Sequence, residues 1–331
     1  MKNLVILGAG TAGTMMANHL ISKLPKSEWK ITIIDQYKTH YYQPGFLFLP
    51  FDIYSTKQVQ KKGKKFIPKG VEYIQEKIDI ILPEDNQVRL ASGESLGYDI
   101  LIIATGTKIA PDETEGMNGP KWHKNIFDFY TFEGAKGLRN KLRKWEGGKL
   151  VIHITEMPIK CPVAPLEFAF LADSYFKSKN MRDKVDITFV TPLDGAFTKP
   201  KATKALHYLL EEKGIKEITD FNIERVDYEN NKIIDYADVE VEYDLLVTVP
   251  TNMGDDLIAR SNMGDDLNYV PTHKATLQSL EHENIFAIGD ATNLPASKAG
   301  SVAHFEAEIL TENIQRYIDG KELKEEFDGH A

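Results

Sequence analysis

Three groups of residues in this chain have the types and spacing to do chemistry. The first is Gly8-x-Gly10-x-x-Gly13, enclosing Thr11 and Ala12, with Asp35 following 22 residues after the last glycine. Glycine at the first position permits a tight turn, at the second lets the backbone approach a pyrophosphate, and at the third packs a helix on a strand. A helix N-terminus then offers its N–H groups to the phosphates, and an acidic residue at that distance can accept from both ribose hydroxyls. The second group centres on Cys161, the only cysteine, beside Lys160 and just ahead of a helix start. A neighbouring cation and a helix N-terminus both lower a thiol pKa and favour the nucleophilic thiolate. A small buried hydrophobe is the more ordinary role of a cysteine and stands as the alternative. Glu167, farther along the same helix, reads as a proton relay or as a solvated or capping residue. The third is Lys298, just before the last helix, where cation and helix dipole together stabilise negative charge on a bound group. An ordinary surface lysine is the alternative there.

The elements that must position these residues follow from the pattern of apolar runs. Asn3 to Leu7, the glycine loop, Thr14 to Leu24 and Trp29 to Ile34 read as strand, turn, helix and strand, a βαβ unit. A second such unit is expected from a strand at Lys149 to Ile154, a helix at Ala164 to Lys177 and a strand at Val185 to Val190, preceded by a helix near Phe132 to Trp145. Ala110 to Pro120, rich in proline, glycine and charge, reads as a linker. The echo Asn252-Met253-Gly254-Asp255-Asp256 and Asn262-Met263-Gly264-Asp265-Asp266 reads as two glycine turns, being too short and too few in copies for a solenoid. A last helix from Ser301 to Ile318 is amphipathic. The fold class is therefore α/β with two Rossmann-like domains. The first is discontinuous, residues 1–113 with 280–331, and the second spans 114–279.

At 331 residues and 42% hydrophobic content, the chain can bury two cores. A net charge of −9 argues against a general nucleic-acid binder, which needs a basic face for phosphates. One cysteine excludes an internal disulfide and multi-cysteine zinc sites, and no His/Asp/Glu set has metal-ligand spacing, so no metal is expected. The lysines at 57, 61, 62, 64, 65 and 69 read as a solvated loop, or as a patch for anionic lipid or an acidic partner. No apolar run reaches the roughly 18–20 residues of a membrane span. Lys2 leads at once into a strand rather than an apolar leader, which makes cytoplasmic synthesis the expectation.

Two later stretches, Leu101-Ile102-Ile103-Ala104-Thr105-Gly106 and Asn284-Ile285-Phe286-Ala287-Ile288-Gly289-Asp290, resemble motifs of the pyridine nucleotide–disulfide oxidoreductase superfamily. With the first glycine loop they occur in the superfamily's order, and the resemblance implies FAD, with Asp290 at its ribityl and pyrophosphate region. After the strand at 149–154, however, the turn Thr155 to Pro165 contains no glycine, and Pro158, Pro162 and Pro165 lack N–H donors. A nicotinamide dinucleotide would not be cradled there. Instead Cys161-Pro162-Val163-Ala164-Pro165, Tyr42-Gln43-Pro44-Gly45-Phe46 and Lys298-Ala299-Gly300-Ser301-Val302 resemble sulfide:quinone oxidoreductases and the flavoprotein of flavocytochrome c sulfide dehydrogenase.

That resemblance implies sulfide as substrate, thiolate chemistry at sulfur and two electrons to a quinone. Cys161, Glu167 and Lys298 are the catalytic candidates it implies. Gln43, Pro44, Lys77, Thr105, Gly106, Gly289, Asp290, Ala299 and Gly300 join Gly8, Gly10, Thr11, Ala12, Gly13 and Asp35 as FAD-binding candidates. In the family Cys161 would have a partner cysteine after the last helix, and the chain stops at Phe327-Asp328-Gly329-His330-Ala331, about where that residue is expected. The expectation is thus a shortened sequence, or a member unable to close the disulfide cycle. In the full-length protein the resemblance places the enzyme peripherally on the cell membrane, and it leaves self-association into a homo-oligomer open. Two other readings stay open: a type II NADH:quinone dehydrogenase, and a non-catalytic FAD-binding electron-transfer protein.

Overall fold

In the computed structural model, which describes residues 1–330, the chain opens with β1 (Lys2–Leu7), α1 (Thr11–Lys23), β2 (Trp29–Ile34), β3 (Glu72–Ile74) and β4 (Ile100–Ile103). It continues through β5 (Ile126–Phe127), α2 (Phe132–Leu142), β6 (Gly148–Ile154), α3 (Ala164–Ser178), β7 (Val185–Val190), α4 (Pro200–Glu212), β8 (Lys216–Ile218) and β9 (Leu245–Val249). β10 (Ile285–Ala287) and α5 (Gly300–Ile318) end the series.

One sheet has the order β10-β4-β1-β2-β3 and the other β5-β9-β6-β7-β8, with every pairing parallel. Parallel sheets need both faces covered, and the strands are accordingly near-continuous apolar runs. Leu4, Val5, Ile6 and Leu7 are all buried, as are all five residues of β9. In the first sheet α1 and α5 lie against each other over Leu4, Ile6, Ile31 and Ile33.

Two compact units divide the chain: Met1–His40, Lys61–Lys108 and Met253–Ala331 in one, Tyr41–Gln60 and Ile109–Asn252 in the other. These bounds depart from those expected at three places, the smallest being residues 109–113, which go with the second unit. Segment 41–60 goes with the second unit because Phe46, Leu47, Leu49, Phe51 and Val59 are buried in a core with Phe129 and Phe168. Residues 253–279 go with the first because Leu257, Ile258, Met263 and Val270 pack on Val5, Leu7 and Ile34.

Three local expectations need correction. Ala110 to Pro120 is not a solvated linker: Met117 is fully buried with Val226 and Leu246, and Gly116 lies too close to the Val226 carbonyl for any side chain. Gly254 is not a turn residue. It ends a short strand, donates from its N–H to Leu267 O at 2.8 Å, and a Cβ on it would overlap the Asn268 carbonyl. Nothing in the sequence reading corresponds to α4, although Ala202, Ala205, Leu206, Leu209 and Leu210 recur at helical spacing; of its residues only Leu210 is buried. The six lysines from 57 to 69 are all exposed. Among the described residues no helix is long and apolar enough to cross a membrane.

Candidate active site

In the first unit the glycine loop occupies the three residues between β1 and α1. Its glycines have distinct physical reasons. Gly8 is left-handed (φ +96°), and a Cβ there would sit 2.5 Å from Ala104 O. A Cβ on Gly13 would overlap the Gly8 carbonyl oxygen, so α1 can start only where the turn has no side chain. Gly10 is different. Its backbone is extended (φ −74°, ψ −159°), a conformation open to any residue, and a Cβ on it would meet nothing within 4 Å. Neither strain nor packing within the protein calls for glycine there; open space beside a helix N-terminus is what a pyrophosphate needs.

The N-termini of α1 and α5 converge on that space. Gly300, the first residue of α5, would place a Cβ 4.0 Å from Thr11, and Gly289 would place one 3.1 Å from Ala12. Neither N-cap, Gly10 or Ala299, supplies a side-chain hydrogen bond, so the N–H groups of both first turns are left for another acceptor. Asp35 follows β2, with Oδ2 accepting from Ala9 N and Oδ1 from Tyr37 N, both at 2.7 Å. Each oxygen keeps a second lone pair, which suits ribose hydroxyls. Burial raises the Asp35 carboxyl above its usual range, against the lowering effect of those two N–H groups. Thr105 and Thr107 have buried hydroxyls without a protein partner, flanking Gly106 at φ +69°. Open glycine, uncapped helix starts and orphaned hydroxyls together fit a bound dinucleotide. Lys77 is exposed just before the strand Ile78–Leu82.

Lys298 departs from the expected cation aimed at the cofactor. Its side chain is buried, Nζ donates to Thr292 O at 2.6 Å and Asp290 O at 3.2 Å, and it lies 3.9 Å from the centre of the Tyr269 ring. Burial lowers its pKa. Across a cavity of about 10 Å³, the size of one water, lies Glu306. Its Oε2 accepts from Gly289 N at 2.7 Å, and burial pushes its carboxyl up to about 7. The sequence reading missed Glu306, although a signal existed: it shares the inward face of α5 with Val302 and Leu310 at i,i+4 spacing. His304 is exposed and lies 3.7 Å from Glu308.

In the second unit nine residues, Thr155 to Val163, separate β6 from α3. Cys161 is half-buried and left-handed (φ +46°), and its carbonyl accepts from Ala164 N at 2.9 Å as the chain turns into α3. Tyr130 Oη donates to Lys160 O at 2.7 Å, and Lys160 N donates to Asn252 Oδ1 at 3.0 Å. Gln43 Oε1 accepts from Lys160 Nζ at 3.2 Å, with Pro44 next to it at the start of a 3-10 turn. Glu167 lies in the first turn of α3; its residue surface is exposed, yet partial burial of the carboxyl raises its pKa. His153 is fully buried on β6 with Nδ1 2.9 Å from Thr248 Oγ1, and burial lowers its pKa to about 3, so it is a neutral packed residue.

A family model described as pyridine nucleotide-disulphide oxidoreductase matches residues 2–307. The chain belongs to this family. Among its relatives, a mitochondrial sulfide:quinone oxidoreductase of Dictyostelium discoideum is 27% identical over 333 residues, covering 99% of this chain and 74% of that protein. The sulfide-quinone reductase of Aquifex aeolicus is 26% identical over 308 residues, covering 89% and 69%. The X-ray structure of the Aquifex aeolicus sulfide:quinone oxidoreductase matches with a TM-score of 0.84 at 23% identity, covering 97% of this chain and 78% of that one. The resemblance seen in the motifs and the two-Rossmann flavoprotein fold are both borne out. As a pyridine nucleotide-disulphide oxidoreductase of the sulfide:quinone oxidoreductase type, the protein is an FAD-dependent enzyme.

Proposed function

We propose that this flavoenzyme oxidises sulfide at Cys161 and delivers the electrons to a quinone. The observation that carries the reading is the second βα turn. Where a nicotinamide dinucleotide would need glycines, the chain has a nine-residue, proline-punctuated loop presenting its only cysteine in a left-handed conformation. The similarity to sulfide:quinone oxidoreductases over 99% of the chain supports the same substrates. The missing glycines speak against NADH as electron donor.

In this reading the Cys161 thiolate and hydrosulfide form an S–S bond, giving a cysteine persulfide, one proton and two electrons. FAD, when bound, supplies the two-electron relay to the quinone, which takes up two protons. Gly8 to Gly13, Asp35 and the starts of α1 and α5 would hold it, with Thr105 and Asp290 beside them. The N-terminus of α5, rather than the enclosed Lys298 ammonium, stabilises negative charge on the pyrimidine side. A second hydrosulfide attacking the outer persulfide sulfur releases hydrodisulfide and restores the thiolate, so one cysteine suffices for a slow cycle. Peripheral association with a membrane would give access to a lipid-soluble quinone.

Anaerobic mixing with sulfide tests this. Flavin absorbance should bleach in the parent, recover on adding a quinone, and stay unbleached in Cys161→Ser. Rapid saturable bleaching by NADH with none by sulfide would replace the proposal with an NADH:quinone dehydrogenase.

A further inference from the structure

We propose that Tyr130 and Asn252 are positioning residues for Cys161, gripping the Lys160 backbone from both sides and so fixing the residue that carries the thiol. The inference rests on the reading of Cys161 as the sulfur-capturing residue. Lys160 lies within the long loop between β6 and α3, at a single β-bridge position rather than in a continuous strand or helix. Its N–H is taken by Asn252 Oδ1 at 3.0 Å and its carbonyl by Tyr130 Oη at 2.7 Å; a longer contact of 3.5 Å runs from the same phenol to Cys161 O.

Both clamps are themselves anchored. Asn252 is 1% exposed and donates from Nδ2 to Pro250 O at 2.8 Å. Tyr130 is buried, and its N–H donates to Asp128 Oδ1 at 2.9 Å. Asp128 is wholly buried and also accepts from Thr131 N at 2.6 Å and Thr131 Oγ1 at 3.1 Å, with His123 Nε2 at 3.2 Å. Burial raises the Tyr130 pKa well above its ordinary value, so the phenol remains a donor throughout the neutral range. Tyr130 on the Lys160 carbonyl fixes the peptide plane before Cys161, and Ala164 N, donating to the Cys161 carbonyl at 2.9 Å, fixes the plane after it, so the backbone angles of Cys161 are restricted. Cys161 stands there in the left-handed region, which an L-residue leaves unless its surroundings over-determine it. A cysteine needed only as core filler would require no such restraint. Neither clamp was visible in the sequence: Asn252 belongs to the Asn-Met-Gly-Asp-Asp echo, and Tyr130 lies 31 residues from the cysteine whose carbonyl it faces.

The test measures iodoacetamide alkylation of Cys161 against pH in the FAD-loaded protein, for the parent, Tyr130→Phe and Asn252→Ala. Flavin content and melting temperature confirm folding, and two variants guard against the failure of either. Release of the clamp should lower the alkylation rate at pH 7 about tenfold, as the thiol leaves the N-terminal end of α3, and shift the pH midpoint upward. A residue that merely packed the loop would act the other way, with faster alkylation at every pH and an unmoved midpoint. That result, or a parental profile in both variants, overturns the proposal. Sulfide bleaching in Cys161→Ser separates the two claims. Bleaching that survives there removes the sulfur-capture reading, while its loss alongside parental alkylation in Tyr130→Phe and Asn252→Ala removes only the clamp.

Discussion

The turn after β1 and the turn after β6 stand at equivalent places, each leaving the middle strand of a five-stranded parallel sheet and leading to a helix that returns to the next strand. The first is three residues long, glycine-rich and open; the second is nine long, with prolines at 158 and 162 and the chain's one cysteine. The first exposes backbone N–H groups toward an empty space, whereas the second spends its backbone hydrogen bonds on holding itself in place. One topology thus serves two ends: a helix start that binds phosphate, and a helix start that presents a thiol.

The largest effect expected from breaking this contrast is at the glycines, and it should split them. Gly13→Val and Gly8→Val should abolish both folding of the first unit and flavin binding, since the new side chain meets fixed backbone. Gly10→Val should leave the apoprotein's melting temperature near the parental value and still yield colourless protein. Circular dichroism with the ratio of flavin to protein absorbance reads both. A Gly10→Val protein that retains FAD would show that the open space is not the pyrophosphate site.

Next comes the choice of reductant. Stopped-flow reduction of the flavin by NADH should be at least about a hundredfold slower than by sulfide, because the second turn cannot cradle a pyrophosphate. Comparable rates would erase the distinction between the two turns.

How much of this was legible beforehand depends on whether the signal is local. Gly8, Gly10, Gly13 and Asp35 stand in one βαβ unit, and periodicity alone locates β1, α1 and β2. The edges of the two units were not legible, because the burial of Phe46, Phe51 and Met117 depends on partners far along the chain. Lys298 shows the limit most plainly: its position before a helix start is a local fact, but its enclosure by Thr292 O, Asp290 O and Tyr269 is a tertiary one. Glu306 was missed for the opposite reason. A glutamate on an apolar stripe is a visible anomaly, and its meaning comes only from Gly289 N beside it.

Glu306 supplies a smaller prediction. Its folded pKa of about 7 lies above the ordinary glutamate value of 4.5, so between these values the folded protein binds more protons than the unfolded chain. Stability therefore falls as pH rises through that window, by up to about 3 kcal/mol. Glu306→Gln, whose amide oxygen can still accept from Gly289 N, should melt at progressively higher temperature than the parent from pH 5 to pH 8. A constant difference across that range would mean that Glu306 titrates normally.

The smallest effect expected is at Thr105. Its buried hydroxyl has no protein partner, so Thr105→Val should change apoprotein stability by less than about 1 kcal/mol while weakening FAD binding several-fold, the value of one hydrogen bond. Equal affinity in the two proteins would remove Thr105 from the cofactor site.

The claim that the second turn exists to present a sulfur-capturing thiol is tested most directly by the mass of Cys161 itself. FAD-loaded protein is mixed with one equivalent of sulfide and a quinone, quenched in acid, and its cysteine peptide analysed by mass spectrometry. The account predicts the added mass of one sulfur atom on the Cys161 peptide, formed as the flavin is bleached and retained as the quinone reoxidises it, and absent when the flavin is reduced beforehand and no quinone is added. Quinone reduced by sulfide while Cys161 remains an unmodified, fully alkylatable thiol would contradict it.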